Sequence, residues 1–188
     1  MIKKRPGTVR IIGGKWRGRR LGLADLPGLR PSGDRGREVL FNWLQMDIRG
    51  ARCLDLFAGT GVLGLEAASR GASGVVLVEK STVAARAIQE NIALLGADEV
   101  SLVAMDALEW LGSCEPASAD MVFIDPPFGS GLEMRTLELL DKRGCVRSGG
   151  LVYVETARKS PPLNPGPGWE MAREKMLGEV RMLLLKKN

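Results

Sequence analysis

Apolar residues follow two rhythms along most of this chain. Five short runs, at 53–57, 75–79, 100–104, 121–125 and 151–155, are largely apolar and rich in Val and Leu. Such runs mark strands buried on both faces, and hence a parallel sheet. Between them, at about 61–70, 82–95, 107–112 and 131–142, apolar positions recur at helical spacing. Strand–helix alternation predicts right-handed βαβ units and a doubly wound α/β fold. Upstream, Asp34 is placed to cap a helix over 35–48 that buries Val39, Leu40, Trp43 and Leu44. Gly96 is a helix-ending residue for 82–95. Downstream, 159–168 is a Pro/Gly loop, and 169–177 and 179–186 read as two strands parted at Gly178. So short a connection makes them antiparallel. The expectation is a seven-stranded, mostly parallel sheet with an antiparallel C-terminal pair.

Composition narrows the class. A chain of 188 residues, 45% apolar and 26% charged, is long enough for a real core without disulfide or metal staples. Histidine is absent. That excludes Ser-His-Asp and Cys-His catalysis and any His-ligated zinc, and no metal site is expected. Cys53, Cys114 and Cys145 are far apart, with no CxxC. This fits a reducing, cytoplasmic setting. No apolar segment follows the charged start, so no signal peptide is expected, and no run approaches the roughly 18 residues of a membrane span.

The net charge of +5 conceals an asymmetry. Residues 1–37 carry eleven Lys/Arg against two acids, a balance of +9, and residues 38–188 carry sixteen against twenty, a balance of −4. A mildly acidic body with a basic N-terminal segment points to a polyanionic partner. In that segment Val9, Ile11, Ile12, Trp16 and Leu21 are interleaved with the charges, and Gly13, Gly14, Gly18 and Gly22 supply turns. The pattern predicts a folded basic hairpin within an extension over 1–33, ahead of a body over 34–188. Trp16 is read equally as a base stacker or a hydrophobic plug.

In open α/β sheets, ligands bind beyond the carboxyl ends of the strands. There this sequence places Asp55, Glu79, Asp106, Asp125 and Glu155. A phosphate-rich nucleotide wants backbone N–H groups and Lys at that edge. A rim of acids suits a ligand rich in hydroxyl and amino groups that carries its own positive charge, as S-adenosylmethionine does. Gly59, Gly61 and Gly64 form a literal GxGxxG between strand and helix, with Glu79 twenty residues beyond Gly59. The same spacing marks dinucleotide sites. Asp55 just ahead of the glycines would repel a pyrophosphate and attract an ammonium. The second motif is Asp125-Pro126-Pro127-Phe128, at a strand end. The prolines stiffen the corner. Asp125 and the Pro126 carbonyl can accept from an exocyclic amino group, and Phe128 can stack on a base.

These motifs resemble those of Rossmann-like class I S-adenosylmethionine-dependent methyltransferases that modify exocyclic amino nitrogens. Two segments narrow the resemblance, IIGGKWRGRRL at 11–21 with Arg10 before it, and LRPSGDRGREVLFNWL at 29–44. They are similar to the N-terminal signature of the RsmD family, bacterial 16S rRNA guanine-N2 methyltransferases. Ser32 replaces an expected Thr, Gly33 and Gly36 make the stretch more glycine-rich than usual, and residues 1–8 precede the usual start. The resemblance implies helices on both faces of the sheet and a set of roles. Asp55, Gly59 and Gly61 hold the methionine part of the cofactor, Glu79 the ribose and Asp106 the adenine. Asp125, Pro126, Pro127 and Phe128 form the catalytic corner. Arg10, Lys15, Arg17, Arg19, Arg20, Arg30 and Arg35 contact RNA, with Arg30 and Arg35 also placed to shape the catalytic pocket. The implied substrate is an assembled or partly assembled small ribosomal subunit, and a monomer is the default. An adenine-N6 methyltransferase fits the same corner. A dinucleotide-dependent oxidoreductase would account only for the glycine loop, and a non-catalytic RNA-binding module only for the basic segment.

Overall fold

A computed structural model describes residues 7–24 and 33–188. A two-stranded hairpin, β1 (Thr8–Arg10) and β2 (Arg20–Gly22), precedes α1 (Asp34–Trp43). Then follow β3 (Arg52–Asp55), α2 (Val62–Ser69), β4 (Gly74–Val78), α3 (Thr82–Leu95), β5 (Val100–Val103), α4 (Ala107–Leu111), β6 (Ala119–Ile124) and α5 (Leu132–Arg143). Three strands close the chain, β7 (Val146–Ala157), β8 (Trp169–Leu177) and β9 (Val180–Lys187). The main sheet has the order β5-β4-β3-β6-β7-β9-β8. The five strands from β3 to β7 run parallel, and β9 and β8 are antiparallel, joined through Gly178 at φ +59°. This is the predicted architecture.

Strand periodicity divides the core into two layers. Cys53, Phe123, Tyr153 and Leu184 pack with α1, α2 and α3 on one face. Leu54, Val122, Val152, Val154 and Leu185 pack with α4 and α5 on the other. The hairpin belongs to the first layer, where Val9, Ile11, Trp16 and Leu21 are all buried. Trp16 is therefore a plug and not a base stacker. It is 8% exposed, and the Lys15 ammonium lies 4.2 Å above its ring.

The hairpin is seated on the end of α2 by close backbone approach. Lys15 N–H donates to the Ser69 carbonyl at 2.7 Å, Trp16 N–H donates to Ser69 Oγ, and Ser69 Oγ donates to the Gly13 carbonyl. Gly14 has φ +75°, and a Cβ there would fall 1.8 Å from the Ser69 carbonyl oxygen. No other residue fits that position.

Three local expectations are corrected. Asp34 does not cap α1; Gly33 occupies the cap position, without a side-chain bond. The Asp34 carboxylate instead accepts from Arg37 at 2.6 Å and Arg10 at 2.8 Å, which draws it into the first turn. The helix ends at Trp43, and Leu44 closes it into a turn that returns Ile48 to the core. The last parallel strand spans Val146–Ala157, far longer than 151–155, because its polar start at Arg147, Ser148 and Gly149 hides the strand pattern. The amphipathic reading of α1 also missed Arg37, which is fully buried.

Candidate active site

The turn after β3 brings Asp55 and the glycines together. Gly59 and Gly61 hold φ of +53° and +74°, and Gly64 lies so close to β4 that a Cβ would meet Leu77 Cδ2 at 2.2 Å. This lets α2 lie directly on the sheet, with all eight of its residues buried. Asp55 is 1% exposed. Its Oδ2 accepts from the Gly64 N–H at 3.1 Å, whereas Oδ1 is buried with no hydrogen-bond partner. Burial pushes the Asp55 carboxyl up to about 7; the Gly64 bond opposes this, and the charges of Asp125 and Glu79 add to it.

Glu79 clamps the same turn. Its Oε2 accepts from Gly59 N–H at 2.8 Å and its Oε1 from Ser81 N–H at 2.7 Å, tying the glycine turn to the start of α3. Asp106 follows β5, two strands from β3. It caps α4, with Oδ1 accepting from Leu108 N–H and Glu109 N–H. Asp125 follows the end of β6, two residues beyond Phe123, the register partner of Asp55 on the neighbouring β3. Pro126 is buried, whereas Pro127 and Phe128 are exposed, Phe128 at 52%.

Asp55, Glu79 and Asp125 thus form one interacting acidic group, with Asp106 at its flank. The site fits a cationic ligand. Asp55 Oδ1 is an acceptor without a donor, the glycine turn admits close approach, and an ammonium beside it would relieve the crowding of carboxylates. An oxidoreductase's pyrophosphate has no such complement here. The residues assigned to S-adenosylmethionine therefore suit its charge. Among the described residues, no group of three or more Cys, Asp and Glu is arranged to hold a metal.

One further neighbour lies on the acidic edge read from the sequence but has no assigned role there. Glu155, at the end of β7, is 7% exposed and in carboxyl–carboxyl hydrogen-bond contact with Asp125. The signal for it was its place on the acidic edge, two residues after Tyr153. Arg35 and Gly36 of α1 share with Glu155 the lining of an open cavity of about 370 Å³, completed by Gly33, Leu177, Gly178, Val180 and Met182.

Apart from Arg35, the described basic residues of the set belong to the hairpin segment. Arg10 pairs with Asp34, Lys15 bonds to Glu99, Arg19 donates to the Leu94 carbonyl and Arg20 to Thr8. All four, with Arg17 and Arg35, are exposed. Arg30 lies outside the described residues. The buried anchor of this region is Glu66 of α2, which accepts from Arg37, Arg70 and the Ile12 N–H.

A doubly wound sheet with an acid–glycine turn after one central strand and an acid–proline–proline–aromatic corner after its neighbour defines a class I methyltransferase. Residues 9–186 match the family described as Conserved hypothetical protein 95, and the chain belongs to that family, the RsmD family. Over 181 residues it is 42% identical to the ribosomal RNA small subunit methyltransferase D of Escherichia coli K12, covering 96% of this chain and 91% of that one. The Haemophilus influenzae protein of the same name is 38% identical over 177 residues, covering 93% and 91%. Among solved structures, the Escherichia coli protein yhhF, described as a methyltransferase, superposes with a TM-score of 0.90 at 40% identity, covering 97% and 99%.

Proposed function

We propose that this protein transfers a methyl group from S-adenosylmethionine to the exocyclic N2 amino group of a guanine in 16S rRNA, within an assembled or partly assembled small ribosomal subunit. The observation that carries the reading is the pairing of the partnerless buried Asp55 Oδ1 with the stiff corner at Asp125 on the adjacent strand. One seats a cation, and the other receives an amino group.

When bound, the cofactor would supply an electrophilic methyl on a sulfonium, whose sulfur leaves as a neutral thioether. The chain's own residues then have three tasks. Asp55, Gly59 and Gly61 hold the methionine end, Glu79 the ribose hydroxyls, and Asp106 the adenine amino group. Asp125 and the Pro126 carbonyl accept the two hydrogens of the target amine. That bonding favours a pyramidal nitrogen and returns its lone pair from the ring. Pro127 fixes the corner and exposed Phe128 stacks on the base. No histidine or metal is required.

Arg10, Lys15, Arg17, Arg19, Arg20, Arg30 and Arg35 grip RNA phosphates, which positions the substrate without reading its sequence. The relatives' names supply the small-subunit rRNA, the N-terminal signature supplies the guanine, and the bacterial cytoplasm and a monomeric state complete the reading. The test is incubation with labelled S-adenosylmethionine and small subunits lacking the modification, followed by nucleoside analysis. N2-methylguanosine is expected; N6-methyladenosine, or no transfer despite cofactor binding, overturns the reading.

A further inference from the structure

Asp55, Asp125 and Glu155 follow Cys53, Phe123 and Tyr153 by two residues each, and those three belong to the same core layer. Strand periodicity therefore turns all three acids toward one face of the sheet, the face of α1 and α2. The pairing Ile124↔Val154 in the parallel β6–β7 ladder puts Asp125 directly beside Glu155. Glu155 is enclosed, and the hydroxyl of fully buried Tyr153 donates to its Oε1 at 2.5 Å.

Two carboxyl groups in hydrogen-bond contact require a proton between them. We infer that Glu155 is a positioning residue for methyl transfer: it carries the proton that the pair shares, donates it to Asp125, and is itself held by Tyr153, so that the Asp125 carboxylate keeps a fixed direction toward the target amino group. This rests on the function proposed above.

The surroundings assign the proton to Glu155 and not to Asp125. Asp125 is partly exposed and Glu155 is enclosed, and an isolated buried carboxylate is the costlier charge. Burial first, and then the Asp125 charge, push the Glu155 carboxyl up to about 8, with the Tyr153 hydroxyl opposing. The groups around it are Asp125 from β6, Tyr153 from its own strand and exposed Arg35 from α1 in the lining of the same cavity; its register partner on β9 is the apolar Met182. Each Glu155 oxygen then has one task, accepting from Tyr153 or donating to Asp125.

The test compares Glu155→Gln, Glu155→Ala and Tyr153→Phe with the parent. Glutamine can donate to Asp125 and accept from Tyr153, so its kcat on small subunits stays within about threefold of the parent, whereas Glu155→Ala loses on the order of a hundredfold through misplacement of Asp125. Tyr153→Phe falls between them. KM for the particle and affinity for S-adenosylhomocysteine, read by calorimetry, stay near parental values in all three, which separates this effect from unfolding or loss of the cofactor site. Full activity of Glu155→Ala, or equal losses in the Ala and Gln variants, overturns the inference while leaving the proposed function intact. A second readout needs no activity. At neutral pH the infrared spectrum of the parent contains a protonated-carboxyl C=O band that Glu155→Gln removes in part, the remainder belonging to Asp55. An unchanged band in Glu155→Gln overturns the shared proton even where no substrate turns over.

Discussion

Arg37 Nη1 lies 3.2 Å from Glu66 Oε2, and neither side chain has any exposed surface. The pair joins the start of α1 to the middle of α2. The same carboxylate takes the Ile12 N–H of the hairpin at 2.9 Å and the Arg70 guanidinium at 2.8 Å. Truncating one partner of such a pair leaves an uncompensated buried charge, at a cost of about 3–5 kcal/mol. Glu66→Gln is therefore expected to lower unfolding free energy by that order in urea titrations. A loss typical of a surface ion pair, under about 1 kcal/mol, contradicts the role given to Glu66.

Gly14 meets Ser69 too closely for any side chain. Gly14→Ala forces the hairpin loop off α2, and it is expected to weaken binding to rRNA while S-adenosylhomocysteine affinity is retained. Limited proteolysis near residues 13–20 reports the detachment. Gly18 also has positive φ, but a Cβ there meets nothing within 4 Å. Gly18→Ala introduces only backbone strain and is the matched control.

The pH dependence of stability follows from Asp55. Its carboxyl titrates near 7 when folded, against 3.8 ordinarily. The folded state then binds more protons between those values, so stability falls as pH rises through that window and levels above about 7. Asp55→Asn is expected to remove this share of the decline, so its melting temperature relative to the parent rises between about pH 4 and 8. It also abolishes cofactor binding. A difference that is flat with pH contradicts the assignment. Cofactor binding to the parent near pH 6 should release a proton, seen as a buffer-dependent binding enthalpy.

Asp125→Ala leaves the glycine turn untouched. It is expected to bind S-adenosylhomocysteine normally and to lose methyl transfer by at least about a hundredfold. Retained activity removes the target amine from the corner.

RNA affinity is expected to fall linearly with log salt. Arg17 makes no ion pair among the described residues, so Arg17→Ala should reduce that slope by about 0.7–0.9 for each phosphate it no longer neutralises. An unchanged slope removes Arg17 from the RNA surface.

The parallel part of the sheet was legible because its strands have largely apolar cores with an acid at or just beyond the carboxyl end. The glycine turn and the proline corner were legible because backbone restrictions leave a mark in sequence. What stayed hidden depends on long-range pairing. Nothing near Arg37 announces that it is buried, since its partner lies twenty-nine residues away on α2. Asp34 has the residue type of a cap, and only Arg10 and Arg37 divert it. Glu155 was visible as one acid among five, but its contact with Asp125 comes from β6–β7 register, which no local pattern encodes.

Helix α2 begins at the glycine turn and ends at Ser69, where the hairpin is seated. Its eight residues span about 12 Å, and every one is enclosed. Whatever backbone the hairpin holds is thus kept at a constant offset from whatever the turn holds. On the function proposed above the molecule is a calliper, with one jaw for phosphates and the other for the methyl donor. That reading makes the distance between grip and turn the quantity that selects the nucleotide.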